Sequence, residues 1–318
     1  MTDPADAIRA AAARYSNWGR WGDDDVHGTL NFLTPRHRIN GAALVRRGVA
    51  FSLAQRFDMD GPQRGWRRRT NPVHTMLDTG VDAERGNQGF PHGFGGADDV
   101  VAMPLQCSTQ WDGLGHIFDH GKAWNGRAAG DVVTSEGDRV TGIETAAGLI
   151  AGRGVLLDAG RALGDDGELP DGFAITTAHL EQTIAAQGAT SAVGTGDIVL
   201  VRTGQLARTR REGWGSYAGG PAPGLSFGTA GWLHDTEIAA IATDTWGFEV
   251  RPNEFDDAFQ PLHQVVIPHL GLYIGEMWDL DALAEDCAAD GVHEFWLTAG
   301  PIPVTGAVGA PVNPIAVK

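Results

Sequence analysis

The chain has 318 residues, 42% of them hydrophobic, with a formal net charge of −16 and a pI of about 5.0. That length and apolar content suffice for a sizeable core, whereas so acidic a surface repels phosphate backbones and anionic lipid headgroups, so neither nucleic acid nor a membrane is an expected partner. No apolar run approaches the roughly 20 residues that span a bilayer, the N-terminal stretch lacks the pattern of a signal peptide, and two cysteines, Cys107 and Cys287, do not make a disulfide framework; a cytoplasmic protein is expected.

In chain order, residues 5–14 read as a helix. A second is expected over 34–47, with Thr34 as N-cap, Pro35 at the first helical position and Gly48 as the stop. Residues 49–53 read as a strand. A Gly-, Pro-, Arg- and Asn-rich segment at 60–99 reads as a long loop interrupted by a strand over 73–77, and loops of that length tend to be functional or interface-forming. Another strand is expected over 100–105. The short apolar runs 153–158 and 197–202 have the length of buried strands, and between them 178–187 reads as a helix stopped by Gly188. Residues 204–225 read as a second long loop. Strands at 238–243 and 270–275, a helix near 280–289 and a late strand at 295–303 complete the pattern. Interspersed helices and strands without a composition break predict one mixed α/β domain over 1–318, with an N-terminal helical extension of about 1–48.

The segment 106–120, QCSTQWDGLGHIFDH, concentrates the chemistry. Gln106, Ser108, Gln110 and Asp112 share parity, so on a strand they project from one face, with Gln110 and Asp112 roughly 6–7 Å apart. Gln106 is too far along a straight strand to join them without a bend. The bland alternative for this face is solvent contact. His116 follows Asp112 by four residues; its imidazole suits proton transfer near neutral pH, although a lone histidine also serves to bond a core carbonyl. Asp244 ends an apolar run, where site residues and turn-capping residues both occur. Arg67, Arg68 and Arg69 form a basic cluster that reads as a solvated patch or as a seat for a substrate carboxylate. Cys107, of opposite parity to its neighbours, reads as packing. The sequence holds no phosphate-binding loop.

The run 106–116 resembles the signature of the cyclase family, which includes kynurenine formamidases and isatin hydrolases: His-x-Gly-Thr-His-x-Asp-x-Pro-x-His. The segments 27–38, 69–80, 153–158 and 262–291, and the terminal GAPVNPIAV, are similar to the family's longer-chain branch. The resemblance implies a β-barrel-like core of swivelling β/β/α type flanked by helices, a homodimer or homotetramer in which a loop can complete a neighbour's site, and a hydrolase of the arylformamidase kind acting on a small amide, formamide, lactam or lactone. It further implies that Asp112 binds a divalent metal, that His116 is the catalytic acid/base, and that His263 and Glu276 are ligands to a second metal, with His269 the alternative histidine. Gln106 and Gln110 depart from the pattern, standing where metal-binding histidines belong.

Asp112, His263 and Glu276 would make an open three-ligand site, to which Gln110 adds an amide oxygen. Manganese or zinc is the expected ion, and exchanging imidazole for oxygen favours Mn²⁺ or Mg²⁺ over Zn²⁺. In the other reading no metal binds, Gln106 and Gln110 hydrogen-bond the substrate, and the enzyme is a metal-independent cyclase or lyase using His116 and Asp112, or an inactive small-molecule-binding protein. In either case Trp111 is placed to wall an aromatic pocket.

Overall fold

The computed structural model describes residues 3–318; residues 1 and 2, part of the expected N-terminal extension, lie outside the described residues. Nine strands form the main sheet, numbered in chain order: β1 (Ala50–Ser52), β2 (Gln110–Asp112), β3 (Ala151–Asp158), β4 (Ile198–Arg202), β5 (Ala240–Thr243), β6 (Tyr273–Glu276), β7 (Glu294–Thr298), β8 (Gly309–Pro311) and β9 (Ile315–Val317). Across the sheet they run β1-β9-β7-β3-β4-β5-β6-β2-β8. The four central strands, β3 to β6, are mutually parallel, and the flanking pairs are antiparallel. The sheet curls into a half-barrel flanked by helices within a single mixed α/β domain.

The central strands are mostly apolar, with polar residues chiefly at their ends, because both faces are covered. Leu156, Ile198, Leu200, Ala240 and Ala242 belong to one core, and their alternating neighbours Val155, Leu157, Val199, Val201 and Ile241 to the other. The second core lies under the helices Pro4–Arg14, Thr177–Gln187, Ala230–Asp235 and Pro261–Val265. Thr176 caps the helix Thr177–Gln187 by accepting the His179 N–H, and Gly188, at positive φ, ends it.

Several expected boundaries move. The helix expected over 34–47 ends at Ala42, because the Arg47 and Val49 amides both donate to the Lys318 carbonyl and draw the chain out towards β1. The expected loop 204–225 contains the helix Gln205–Glu212, which buries Leu206 and Thr209 and turns Arg208, Arg210 and Arg211 towards surface carboxylates. The expected loop 60–99 is in part a hairpin arm, Val73–Asp78 paired antiparallel with Asp98–Ala102. The late strand stops at Thr298, and β8 and β9 follow it; Pro311 is tolerated in β8 because that strand is an edge. No helix among the described residues is long and apolar enough to cross a membrane.

Candidate functional site

Strands β2 and β6 set the site. Their antiparallel register pairs Glu276 with Gln110 and Ile274 with Asp112, so these side chains share a face. Ile274 belongs to the helix-covered core, which places Gln110, Asp112 and Glu276 beneath the segment that carries His263. Only residues 110–112 of the motif are strand; the chain bends through 106–109, as bringing Gln106 towards Asp112 requires. Gln106 Nε2 lies against Gly309, the residue paired with Asp112 across β8, where any larger side chain would collide with it.

Asp112, His263 and Glu276 each present a ligand atom within 4.8 Å of the others, and all three are buried. His263 is oriented from behind: Nδ1 lies 2.5 Å from Glu249 Oε1, while Nε2 faces Glu276 Oε1 at 3.3 Å. The same Glu249 carboxylate accepts the backbone N–H groups of Leu262 and His263, anchoring the start of the helix Pro261–Val265. Burial disfavours the charged imidazole, but the carboxylates of Glu249 and Glu276 outweigh it and hold the His263 pKa at about 10. Burial and the neighbouring Asp112 charge push the Glu276 carboxyl upward. Gln110 Nε2 donates to Glu276 Oε2 at 2.9 Å.

These residues fit a divalent cation on two grounds. A carboxylate behind Nδ1 with Nε2 turned into the cluster is the arrangement that orients metal-binding histidines. In addition, two acceptor oxygens, Gln110 Oε1 and Asp112 Oδ1, are buried without a hydrogen-bond partner, and buried polar groups in native proteins are otherwise almost always satisfied. One imidazole and several oxygens make a hard donor set, closer to manganese or magnesium than to zinc.

His116 stands beside this cluster, its Nε2 3.5 Å from Asp112 Oδ1, too long for a strong hydrogen bond. Burial lowers its pKa, against the pull of Asp112 and with help from Arg69 and Arg67, so the ring is neutral at pH 7. A recess of about 10 Å³, room for one water-sized group, is lined by Arg67, Arg69, Asp112, His116, Trp246, Gln260, His263 and Glu276. It adjoins an outer cavity of about 520 Å³ walled by Trp66, Ile117, Phe118 and Phe259 and sharing Arg67, His116, Gln260 and His263.

Other expected placements change. Trp111 does not wall the pocket: one residue out of phase with Asp112, it points to the opposite core, fully buried, donating to the Ala299 carbonyl at 2.7 Å and packing edge-on against Trp278. His269 is away from the cluster, paired with Asp119 and stacked on Trp18. Asp244 accepts from Thr203 and Gly204 and caps that turn. Cys107 is buried, and burial raises its thiol pKa to about 11, which suits packing. Glu249, Gln260 and Phe259 carry no signal of a site role in the sequence; they come from irregular segments without a periodic pattern.

The cyclase family model matches residues 37–250. A solved structure described as a novel cyclase is 39% identical, with 96% of this chain and all of that one covered, at a TM-score of 0.86. At the level of fold, isatin hydrolase A from Ralstonia solanacearum is similar at 14% identity and TM-score 0.61, covering 85% of this chain and 92% of that one. A predicted metal-dependent hydrolase from Bacillus stearothermophilus is similar at 16% identity and TM-score 0.51, covering 85% and 98%. Comparison with curated proteins gives no match.

Proposed function

The chain belongs to the cyclase family, and from that premise we propose that it is a metal-dependent hydrolase that adds water to the carbonyl carbon of a small amide, formamide, lactam or lactone. The observation that carries this reading is the convergence of Asp112, His263 and Glu276 within 4.8 Å beside a neutral His116. Asp112, His263 and Glu276, with Gln110 as a further oxygen donor, would hold a divalent ion, which would supply Lewis acidity to the reaction. Glu249 fixes the His263 ring so that Nε2 faces the cluster. His116 accepts the proton of the attacking water and returns it to the leaving nitrogen or oxygen. The outer cavity takes the apolar part of the substrate against Trp66, Phe118 and Phe259.

A second reading, a metal-independent enzyme of the same fold, is favoured by one feature: Gln110, His263 and Glu249 already satisfy the Glu276 and His263 side chains among themselves. Elemental analysis of the purified protein separates the two, because the first reading requires about one bound divalent ion per chain and loss of turnover on chelation. A screen of formanilide, aryl lactams and aryl lactones tests both, and a well-folded protein that turns over none of them, with or without Mn²⁺, is a binding protein instead. We further propose a homodimer or homotetramer, with the hairpin arm as contact surface, since Val73, Met76, Leu77, Val100 and Val101 are exposed on it. Light scattering checks this, and a monomeric mass would end it.

A further inference from the structure

Two of the side chains lining the inner recess hold hydrogen-bond donors that the fold does not use. Arg69 is only 8% exposed, yet among the described residues its guanidinium has no hydrogen bond and no carboxylate within 4.0 Å; it packs over the Trp246 ring at 5.5 Å. Trp246 is 2% exposed, and its indole N–H has no acceptor. An arginine with so little exposure is ordinarily paired, and the buried Trp246 N–H without an acceptor is the kind of group that native proteins almost always satisfy. Both side chains line the same recess as Asp112, His116, His263 and Glu276, and that recess adjoins the outer cavity along Arg67, His116, Gln260 and His263. The missing partner is therefore an acceptor, and a cation beside the reacting position selects an anionic one.

Resting on the hydrolase reading above, we propose that Arg69, with the Trp246 N–H, is a catalytic residue that binds the carbonyl oxygen as it becomes an oxyanion and then one oxygen of the carboxylate product. The step balances without a further reactant. The water oxygen bonds to the carbonyl carbon, the C=O π pair moves onto the oxygen facing Arg69, and His116 takes the water proton. The oxyanion then re-forms C=O, the bond to the leaving nitrogen or oxygen breaks with its electron pair, that atom receives the proton from His116, and the carboxylic acid formed releases its remaining proton to solvent water to give the carboxylate. Fixed donors aimed at developing negative charge in a water-poor recess are an effective form of transition-state stabilisation.

Benzoate is a product-like probe whose ring suits the outer cavity while one carboxylate oxygen enters the recess. Its affinity is measured by calorimetry and tryptophan quenching in chelator-treated and in Mn²⁺-loaded protein, beside neutral benzamide. The proposal expects chelated wild type to bind benzoate, Arg69→Gln to bind it about 10- to 100-fold more weakly, Arg69→Lys to fall between, and benzamide affinity to change much less. Because Arg69→Lys keeps the charge, it serves as the reporter if Arg69→Gln loses its fold by melting and near-UV dichroism. Equal benzoate affinity in wild type and both variants overturns the proposal, as does benzoate binding only when Mn²⁺ is present. Neither result touches the hydrolase reading, which stands or falls on turnover and metal content.

Discussion

Replacing Glu276 by glutamine separates a metal ligand from a structural carboxylate. The change is nearly isosteric, and the site can absorb it. Gln110 Nε2 now donates to Glu276 Oε2, while Gln110 Oε1 is unpartnered, so Gln110 can turn its amide over and accept from a new N–H. The substitution also removes a buried charge whose pKa is pushed up by burial and by Asp112. The melting temperature without metal should therefore stay within a few degrees of wild type. Metal response should differ sharply. An ion present at 100 times its dissociation constant stabilises the native state by about 2.7 kcal/mol. With an unfolding entropy of about 0.7 kcal/mol per degree for 318 residues, that is a rise of about 4 °C. Differential scanning calorimetry with and without Mn²⁺ should show this rise in wild type and little in Glu276→Gln. A variant that keeps the full metal-induced rise would refute the assignment of Glu276 as a ligand.

Other perturbations follow from the same geometry. His116→Ala should lower kcat on any substrate found by about 10²–10⁴-fold without unfolding the protein, and unchanged turnover would demote His116 to a structural role. Because burial lowers its pKa, the base form is present at neutral pH and activity is lost only as pH falls through a value below 6.5; His116→Gln should abolish that acid limb in a pH–rate profile. Gln110→His should raise Zn²⁺ affinity in a competitive chelator titration by adding a nitrogen donor beside Glu276, and no gain would mean that Gln110 is not a ligand position. Trp111→Phe should cost about 1–3 kcal/mol in urea unfolding by orphaning the Ala299 carbonyl while leaving turnover intact; a loss of turnover without a loss of stability would return Trp111 to the pocket.

How much of this could be read from the chain depends on how local each signal is. The central strands were legible because strands covered on both faces are continuous apolar runs. Three-residue strands such as β8 (Gly-Ala-Pro) and β9 (Ile-Ala-Val), paired across the sheet with β2 and with β1 and β7, are too short to give such a run. Asp112 and His116 sit in one compact motif, and the resemblance that carries them also led to His263 and Glu276. Trp111 was misplaced although its parity was known: one step along a strand reverses the face, and the polar side of β2 is the side with the recess. Glu249 and Arg69 were harder still. Their roles exist only once the helix Pro261–Val265 and the turn at 66–68 are packed against β2 and β6; Glu249 has no neighbour in sequence that announces it, and Arg69 stands in a basic cluster legible only as a solvated patch or a seat for a substrate carboxylate.

The most direct measurement is anomalous diffraction from crystals of the protein equilibrated with Mn²⁺. One strong peak is expected, with Asp112, His263 Nε2 and Glu276 each about 2.0–2.4 Å from it and with His263 Nδ1 still held by Glu249. Density showing no ion in this cluster, with Asp112, His263 and Glu276 undisturbed, would contradict the metal assignment.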